Sequence, residues 1–395
     1  MSIQLFDDEK RFKFLPLVFT RPIGFLRAGI GTVAEKWSGF NLEVIKHLVP
    51  EYLDSKFNPV DQNSSVFVNS RIIANESIAV AIRSLAEEST LTWKGNCLAF
   101  KTNTKLKFEE IDAIQASLAQ VEFSGNCLLL EQVSDLFSHN EKFITDDFNQ
   151  LTRGRTSADL HASVQVIGSR DQLFVESGAQ MHACIINTTH GPVYIGKDSE
   201  VMEGCMVRGP FALCKNATLK MGAKIYGGTT VGPHCKVGGE VGNSVLMGYS
   251  NKGHDGYLGN SIIGEWCNLG ADTNTSNLKN NYSSVKTWNY KEEKLTDSGL
   301  TFIGLIMGDH AKSAINTQFN TGTTVGCCAN VFGSGFPPKF IPGFSWGGAD
   351  GFVTFDLERS YEVADRVMAR RSIDFTADDR KIFSHINDYS AKFRH

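Results

Sequence analysis

Eight consecutive six-residue blocks between Ile195 and Gly242 constrain this 395-residue chain more than any other feature. Their first positions are Ile195, Val201, Val207, Leu213, Leu219, Ile225, Val231 and Val237, all aliphatic. Their fifth positions are Ser199, Cys205, Phe211, Ala217, Ala223, Thr229, Cys235 and Val241, small with two exceptions. A period of six fits neither a helix of 3.6 residues per turn nor a lone amphipathic strand. It fits a hexapeptide solenoid, in which short strands wind round a narrow prism. The expected fold is a left-handed parallel β-helix. The aliphatic residue fills the interior of each flat face, and the small one sits near a corner.

The repeat also has edges. Short strands begin near Leu160, and Asn187–Pro192 breaks the phase. Hexads resume at Ile263–Asn268 and Leu269–Asn274, then from Met307 through Ser313, Phe319, Val325 and Val331. Three hexads make one coil of roughly 18 residues, which predicts roughly eight coils. Residues 1–155 lack the period. Strands near Val66, Cys97 and Cys127, with helices over Asn75–Glu88 and Phe108–Gln120, predict an α/β domain there. The expected domains are therefore 1–155, a β-helix over 156–355 and a helical tail over 356–395 that caps or packs along the solenoid.

Bulk properties narrow the function classes. A formal net charge of -4 leaves no basic surface of the kind that binds nucleic acid. No segment approaches the ~20 apolar residues of a membrane span, and the acidic start of the chain predicts no secretory signal. The nine cysteines lack a CxxC pair. Cys205, Cys235 and Cys267 read as small buried residues, as expected of a cytoplasmic protein.

Solenoids place their chemistry where the repeat is interrupted. Two interruptions stand out, Gly248–Gly259 and Thr275–Leu300. The first sets His254 between Gly253 and Gly256, and a histidine there can act as a base near neutral pH. The run GHDGYLGNSIIGEWCNLGAD, followed by Asn277, is similar to the acetyltransferase domain of the bacterial bifunctional enzyme that makes UDP-N-acetylglucosamine. Gly209-Pro-Phe-Ala212 matches a segment of the same domain.

This resemblance implies an acetyl-CoA-dependent N-acetyltransferase acting on an amino sugar phosphate, assembled as a homotrimer, with no metal at the acyl site. His254 then matches the catalytic base, with Asp255 or a backbone carbonyl fixing its tautomer. Tyr257 matches the tyrosine that contacts the sugar phosphate. Asn268 lies beside the substrate amine, Asn277 contacts substrate, and the Ala271 N–H meets the thioester oxygen. Lys215 stands for a phosphate-binding arginine. A second family lysine aligns with Gly248, with Lys252 as candidate substitute, and a third has Lys286 or Lys279 as candidates. Asp309 and Cys327, one coil apart, fall at positions that line the coenzyme A groove.

The N-terminal stretch Phe14–Pro22 resembles the start of sugar nucleotidyltransferases, without their glycine-rich phosphate loop; Leu5-Phe-Asp-Asp8 stands in its place. Arg11, Arg21 and Arg27 are candidate phosphate ligands there. The resemblance implies UTP and Mg²⁺ for this domain, with Asp7, Asp8, Asp146 and Asp147 as acidic candidates. Two other functions fit the same residues: a nucleotidyltransferase whose β-helix mainly oligomerises, or a non-catalytic nucleotide-sugar-binding protein.

Overall fold

The structure is a computed structural model that describes residues 1–60 and 62–394; His395, the end of the expected tail, lies outside the described residues. The chain separates into two compact units. One comprises Met1–Leu26, Gly31–Val133 and Ala377–Ile382, and the other Arg27–Ile30, Ser134–Thr376 and Phe383–His395. By contacts between residues, the division falls near residue 133.

The first unit is built on a mixed six-stranded sheet: β1 (Ser2–Phe6), β2 (Glu43–Leu48), β3 (Val66–Asn69), β4 (Ser89–Trp93), β5 (Asn96–Lys101) and β6 (Ala119–Glu122), ordered β2-β1-β3-β5-β4-β6. β1 is parallel to both neighbours, and β5 runs antiparallel to β3 and β4. The predicted helix at Asn75 is α1 (Glu76–Arg83). Asn75 caps it by accepting a hydrogen bond from the Ile78 N–H at 3.0 Å, and Ile78, Ile82 and Leu85 are buried. The predicted helix over Phe108–Gln120 ends early at Ser117, because the chain turns there to enter β6.

The second unit is the left-handed parallel β-helix. One face is nine strands deep, from Leu173–Val175 to Phe340–Ile341, against the roughly eight coils expected. A second face runs from Gln180–Met181 and closes with the antiparallel strand Gly351–Thr354. A third has six strands, from Gln165–Ile167 to Tyr257–Gly259. Strict stacking puts each hexad's first residue above its equivalent one coil on, as in the pairs Ile195–Leu213 and Leu213–Val231. All eight first-position aliphatics are buried in one continuous core, with the fifth-position residues buried among them.

The two interruptions differ in kind. Around the histidine segment the chain makes no excursion: Val231 pairs with Leu246, only fifteen residues on, and Leu246 with Ile263. The coil is shortened, and Asn251–Lys252 and Tyr257–Gly259 remain in their sheets. The second interruption is an insertion, since Ile262 pairs with Ile306, 44 positions later. It carries an antiparallel hairpin, Lys286–Asn289 with Lys294–Asp297, whose Trp288 stacks on Phe340 at 3.8 Å between ring centres.

Helix α2 (Asn140–Leu151) is built into the solenoid unit. Ile144 and Phe148 pack with Phe174 and Ala212, and the Asn140 amide donates to Gly228 O (2.8 Å) and Thr230 Oγ1 (3.0 Å). The tail forms α3 (Leu357–Ala369), capped by Asp356, and α4 (Ala377–Ala391). Phe383 on α4 meets the rings of His310 and Phe344 edge-on, so the tail packs along the solenoid.

Because each interior residue contacts only its own and adjacent coils, a cavity there cannot be relieved from elsewhere. Leu213→Ala should lower stability by about 2–5 kcal/mol, measured by urea unfolding.

Candidate active site

Register decides which side chains leave the solenoid. On the second face the buried column is Leu219, Val237 and Lys252, and the residue before each buried position points outward. Lys236, Asn251 and Asn268 are therefore consecutive in an outward column, in register one coil apart. They form the floor of a cleft of about 620 Å³. His254 and Ala271 border it on one side, and Tyr249 and Trp266 on the other. Lys220 and the end of the tail helix, through Val367, Arg370 and Arg371, complete its lining.

Three of the expected acyl-site residues meet in this cleft: His254, Asn268 and Ala271. His254 is exposed, on the turn between Asn251–Lys252 and Tyr257–Gly259. Among the described residues its imidazole has no hydrogen-bond partner, so the orienting bond expected from Asp255 is not formed. The Ala271 carbonyl accepts from the Asn316 N–H at 2.8 Å, whereas its own N–H has no acceptor among the described residues. A backbone donor left open at a cleft wall suits a developing oxyanion.

Lys252 corrects its expected role. It occupies an interior hexad position, paired with Val237 and 1% exposed. Its ammonium turns to main-chain oxygens, donating to Gly238 O (3.1 Å) and His254 O (2.8 Å). It therefore anchors the histidine turn from beneath and does not present its charge to a ligand. Burial pushes it down to about 8, against the opposing pull of Asp255 and Asp272.

Tyr257 and Asn277 lie together on the third face, Asn277 Nδ2 donating to Tyr257 Oη (3.0 Å) and Asn260 Oδ1 (2.7 Å). Neither lines the cleft. Lys215 is exposed at a solenoid corner, Lys286 is exposed on the inserted hairpin, and Lys279 is tied to Ser284 O within the insertion. Asp309 and Cys327 do not line a groove. They are 3% and 1% exposed, and Asp309 accepts from the Glu265 N–H at 2.8 Å. The neighbouring corner residues His310 and Phe344 are covered by Phe383 of α4, which closes this side of the solenoid.

The arginines read from the N-terminal stretch are structural. Arg11 pairs with Asp7 (3.0 Å) and donates to Arg21 O (3.1 Å). Arg21 is buried. Arg27 belongs to the solenoid unit, where it donates to Met247 O at 3.1 Å and to Ile30 O. The acidic candidates are similarly engaged. Asp7 also accepts from the Ile23 N–H, and burial, opposed by Arg11, raises it to about 6. Asp8 takes a forked ion pair from the buried Arg71 and a bond from Asn69. Asp146 pairs with Lys142, and Asp147 accepts from the Ile30 N–H at 2.8 Å. No group of three or more metal-ligating side chains occurs among the described residues.

Sequence reasoning missed Lys220, Lys236, Arg370 and Arg371. The outward column of register positions could have found Lys236; nothing in the tail's helical pattern distinguishes Arg370 and Arg371. It also missed an aromatic stack along one corner, at positions with positive φ: His234 on Tyr249 (4.7 Å), Tyr249 on Trp266 (4.2 Å) and Trp266 on His310 (6.1 Å). The left-handed backbone is unfavourable for such bulky residues, and stacking offsets part of that cost.

The lowered Lys252 gives a stability signature. Between pH 8 and about 10.5 the unfolded chain holds this proton and the folded chain does not, so stability contributed at this site rises with pH across that window. Lys252→Met should remove that rise, read as a flatter urea midpoint between pH 8 and 10.

Residues 3–156 match the family model described as sugar nucleotidyl transferase. The bifunctional protein GlmU of Methanocaldococcus jannaschii is 34% identical over 118 residues, 30% of this chain and 26% of that protein. The bifunctional sugar-1-phosphate nucleotidylyltransferase/acetyltransferase of Sulfurisphaera tokodaii is 31% identical over 144 residues, 36% of this chain and 35% of its own. The matches thus span about a quarter to a third of these relatives' lengths. Among solved structures, the polysialic-acid-specific acetyltransferase NeuO aligns over 54% of this chain and 99% of its own at 12% identity, with a TM-score of 0.29. The UDP-N-acetylglucosamine acyltransferase of Francisella novicida covers 57% and 75% at 15% identity, with a TM-score of 0.28.

Proposed function

We propose that this chain is a divergent relative of the GlmU-like bifunctional nucleotidyltransferase/acetyltransferases, a reading supported by the match of residues 3–156 and the partial likeness to those relatives, and that its β-helix transfers an acetyl group from acetyl-CoA to the amine of an amino sugar phosphate. The observation that carries this reading is the meeting of His254, Asn268 and the open Ala271 N–H in one cleft. Only a neutral amine attacks a thioester. As the C–N bond forms, His254 takes the amine proton, and the Ala271 N–H stabilises the oxyanion of the tetrahedral intermediate. The C–S bond then breaks, and the coenzyme leaves as its thiol with the proton carried by His254. Asn268, outward on the cleft floor, is placed to orient the amine.

The unit we infer is a cytoplasmic homotrimer. In such an assembly Tyr257 and Asn277, which lie on a different face from the cleft, would contribute to substrate binding in a neighbour's site, as would Lys215 or Lys286. No helix among the described residues is long and apolar enough to cross a membrane. For the N-terminal unit, Mg²⁺ and UTP fit poorly, because Asp7 and Asp8 are already paired with Arg11 and Arg71. Slow pyrophosphate release from UTP and a sugar 1-phosphate is the expected outcome of an assay for that second activity.

The decisive test is acetyl transfer to glucosamine 1-phosphate, followed by release of coenzyme A thiol. His254→Ala should reduce kcat roughly 10²- to 10⁴-fold with an unchanged fold. Full activity in that variant would exclude His254 as the base.

A further inference from the structure

The side of the solenoid where an acyl carrier was expected is closed. Asp309 and Cys327 are buried, and Ser390 and Phe383 of α4 pack against Gly343, Phe344 and His310. A phosphate-bearing ligand needs another place for its charge. The cleft offers one. Lys220, Lys236, Arg370 and Arg371 line it, and among the described residues no aspartate or glutamate does. Two of these cations come from the solenoid face and two from the end of α3, its C-cap Arg370 and the following Arg371.

Cations at a helix C-terminus favour the helix by themselves, which is one reason for arginines there. That does not explain their approach to Lys220 and Lys236, since like charges gathered around one cleft repel. Arg371 reaches His234 O only at 3.4 Å, so its guanidinium keeps donors for a ligand. His234, beside the cleft-lining Tyr249, is held below the usual histidine range by burial and by the nearby charges of Arg371 and Lys215. The whole end of the cleft is electropositive, and a guanidinium fork matches a phosphate in geometry as well as charge.

We propose that Lys220, Lys236, Arg370 and Arg371 form a phosphate-binding site, in which the end of α3 supplies the two arginines. The chemistry it takes is a phosphate monoester or diphosphate. Either substrate of the proposed reaction could bring it, the coenzyme through its adenosine 3′-phosphate and diphosphate or the sugar through its 1-phosphate. The assignment of the phosphate to one of these rests on the acyltransferase reading; the anion site itself rests on the cleft.

The test is calorimetric titration of the full chain with adenosine 3′,5′-bisphosphate and, separately, with glucosamine 1-phosphate, at fixed salt. Wild type should bind at least one. Arg370→Gln/Arg371→Gln should weaken that binding by roughly tenfold or more, and Arg370→Lys/Arg371→Lys should recover part of it. Loss confined to the adenosine bisphosphate assigns the site to the acyl donor, and loss confined to the sugar phosphate assigns it to the acceptor. Should the glutamine pair fail to fold, Lys220→Gln/Lys236→Gln gives the same readout from the solenoid face. Binding of neither probe to wild type, or undiminished binding in the folded variants, overturns the proposal. His254→Ala keeps the two ideas apart: retained turnover in that variant removes the acyltransfer mechanism while leaving the phosphate affinities to stand or fall alone.

Discussion

The solenoid interior is a prism only one side chain wide on each face, and it must be filled by a dry column of residues stacked in register. Everything built on the β-helix depends on that stacking. Where the column is aliphatic, as at Leu219 and Val237, the coil is locked to its neighbours, and the residues between are forced outward in equally strict rows. The cleft floor of Lys236, Asn251 and Asn268 is one such row. A binding surface on this fold is therefore organised by the packing of the opposite side of the same strands.

Lys252 is the informative exception. A lysine in the aliphatic column would ordinarily break it, because an unpaired buried ammonium is costly. Here the coil is shortened at this point, from the usual 18 residues to fifteen, and the side chain extends to two carbonyl oxygens. One of them belongs to His254. The irregularity in spacing, the misplaced lysine and the exposed histidine are thus a single local arrangement, in which core polarity is spent on holding a turn. Such a local departure from the regular packing is where a fold most often departs from its own rules.

The C-terminal helices change how the solenoid is used. By packing Phe383 over the corner at His310 and Phe344, α4 removes Asp309 and Cys327 from solvent, and α3 brings Arg370 and Arg371 to the second face. Closing one side and charging another are consequences of the same tail. In the N-terminal unit the corresponding change is electrostatic: acidic residues at the end of β1, where an α/β sheet would bind phosphates, are neutralised by Arg11 and Arg71.

The amino-acid pattern alone determined the β-helix, because a buried aliphatic every six residues has no other regular way to be covered. It also singled out His254, at an interruption of the repeat, whereas Asn268 and Ala271 entered only through the resemblance of that segment to acetyltransferases. The fate of individual charged residues was decided only by tertiary structure. Lys252 reads as a surface cation until its register with Val237 puts it inside. Arg27 reads as a phosphate ligand until Met247 O and Ile30 O claim it. Arg370 and Arg371 read as an ordinary helix end until the tail folds back over a face more than a hundred residues earlier in the chain. Periodicity records which residues share an environment along one strand or coil. It holds no record of which distant segment will cover them, and for a charged side chain that covering decides whether it binds a ligand or its own backbone.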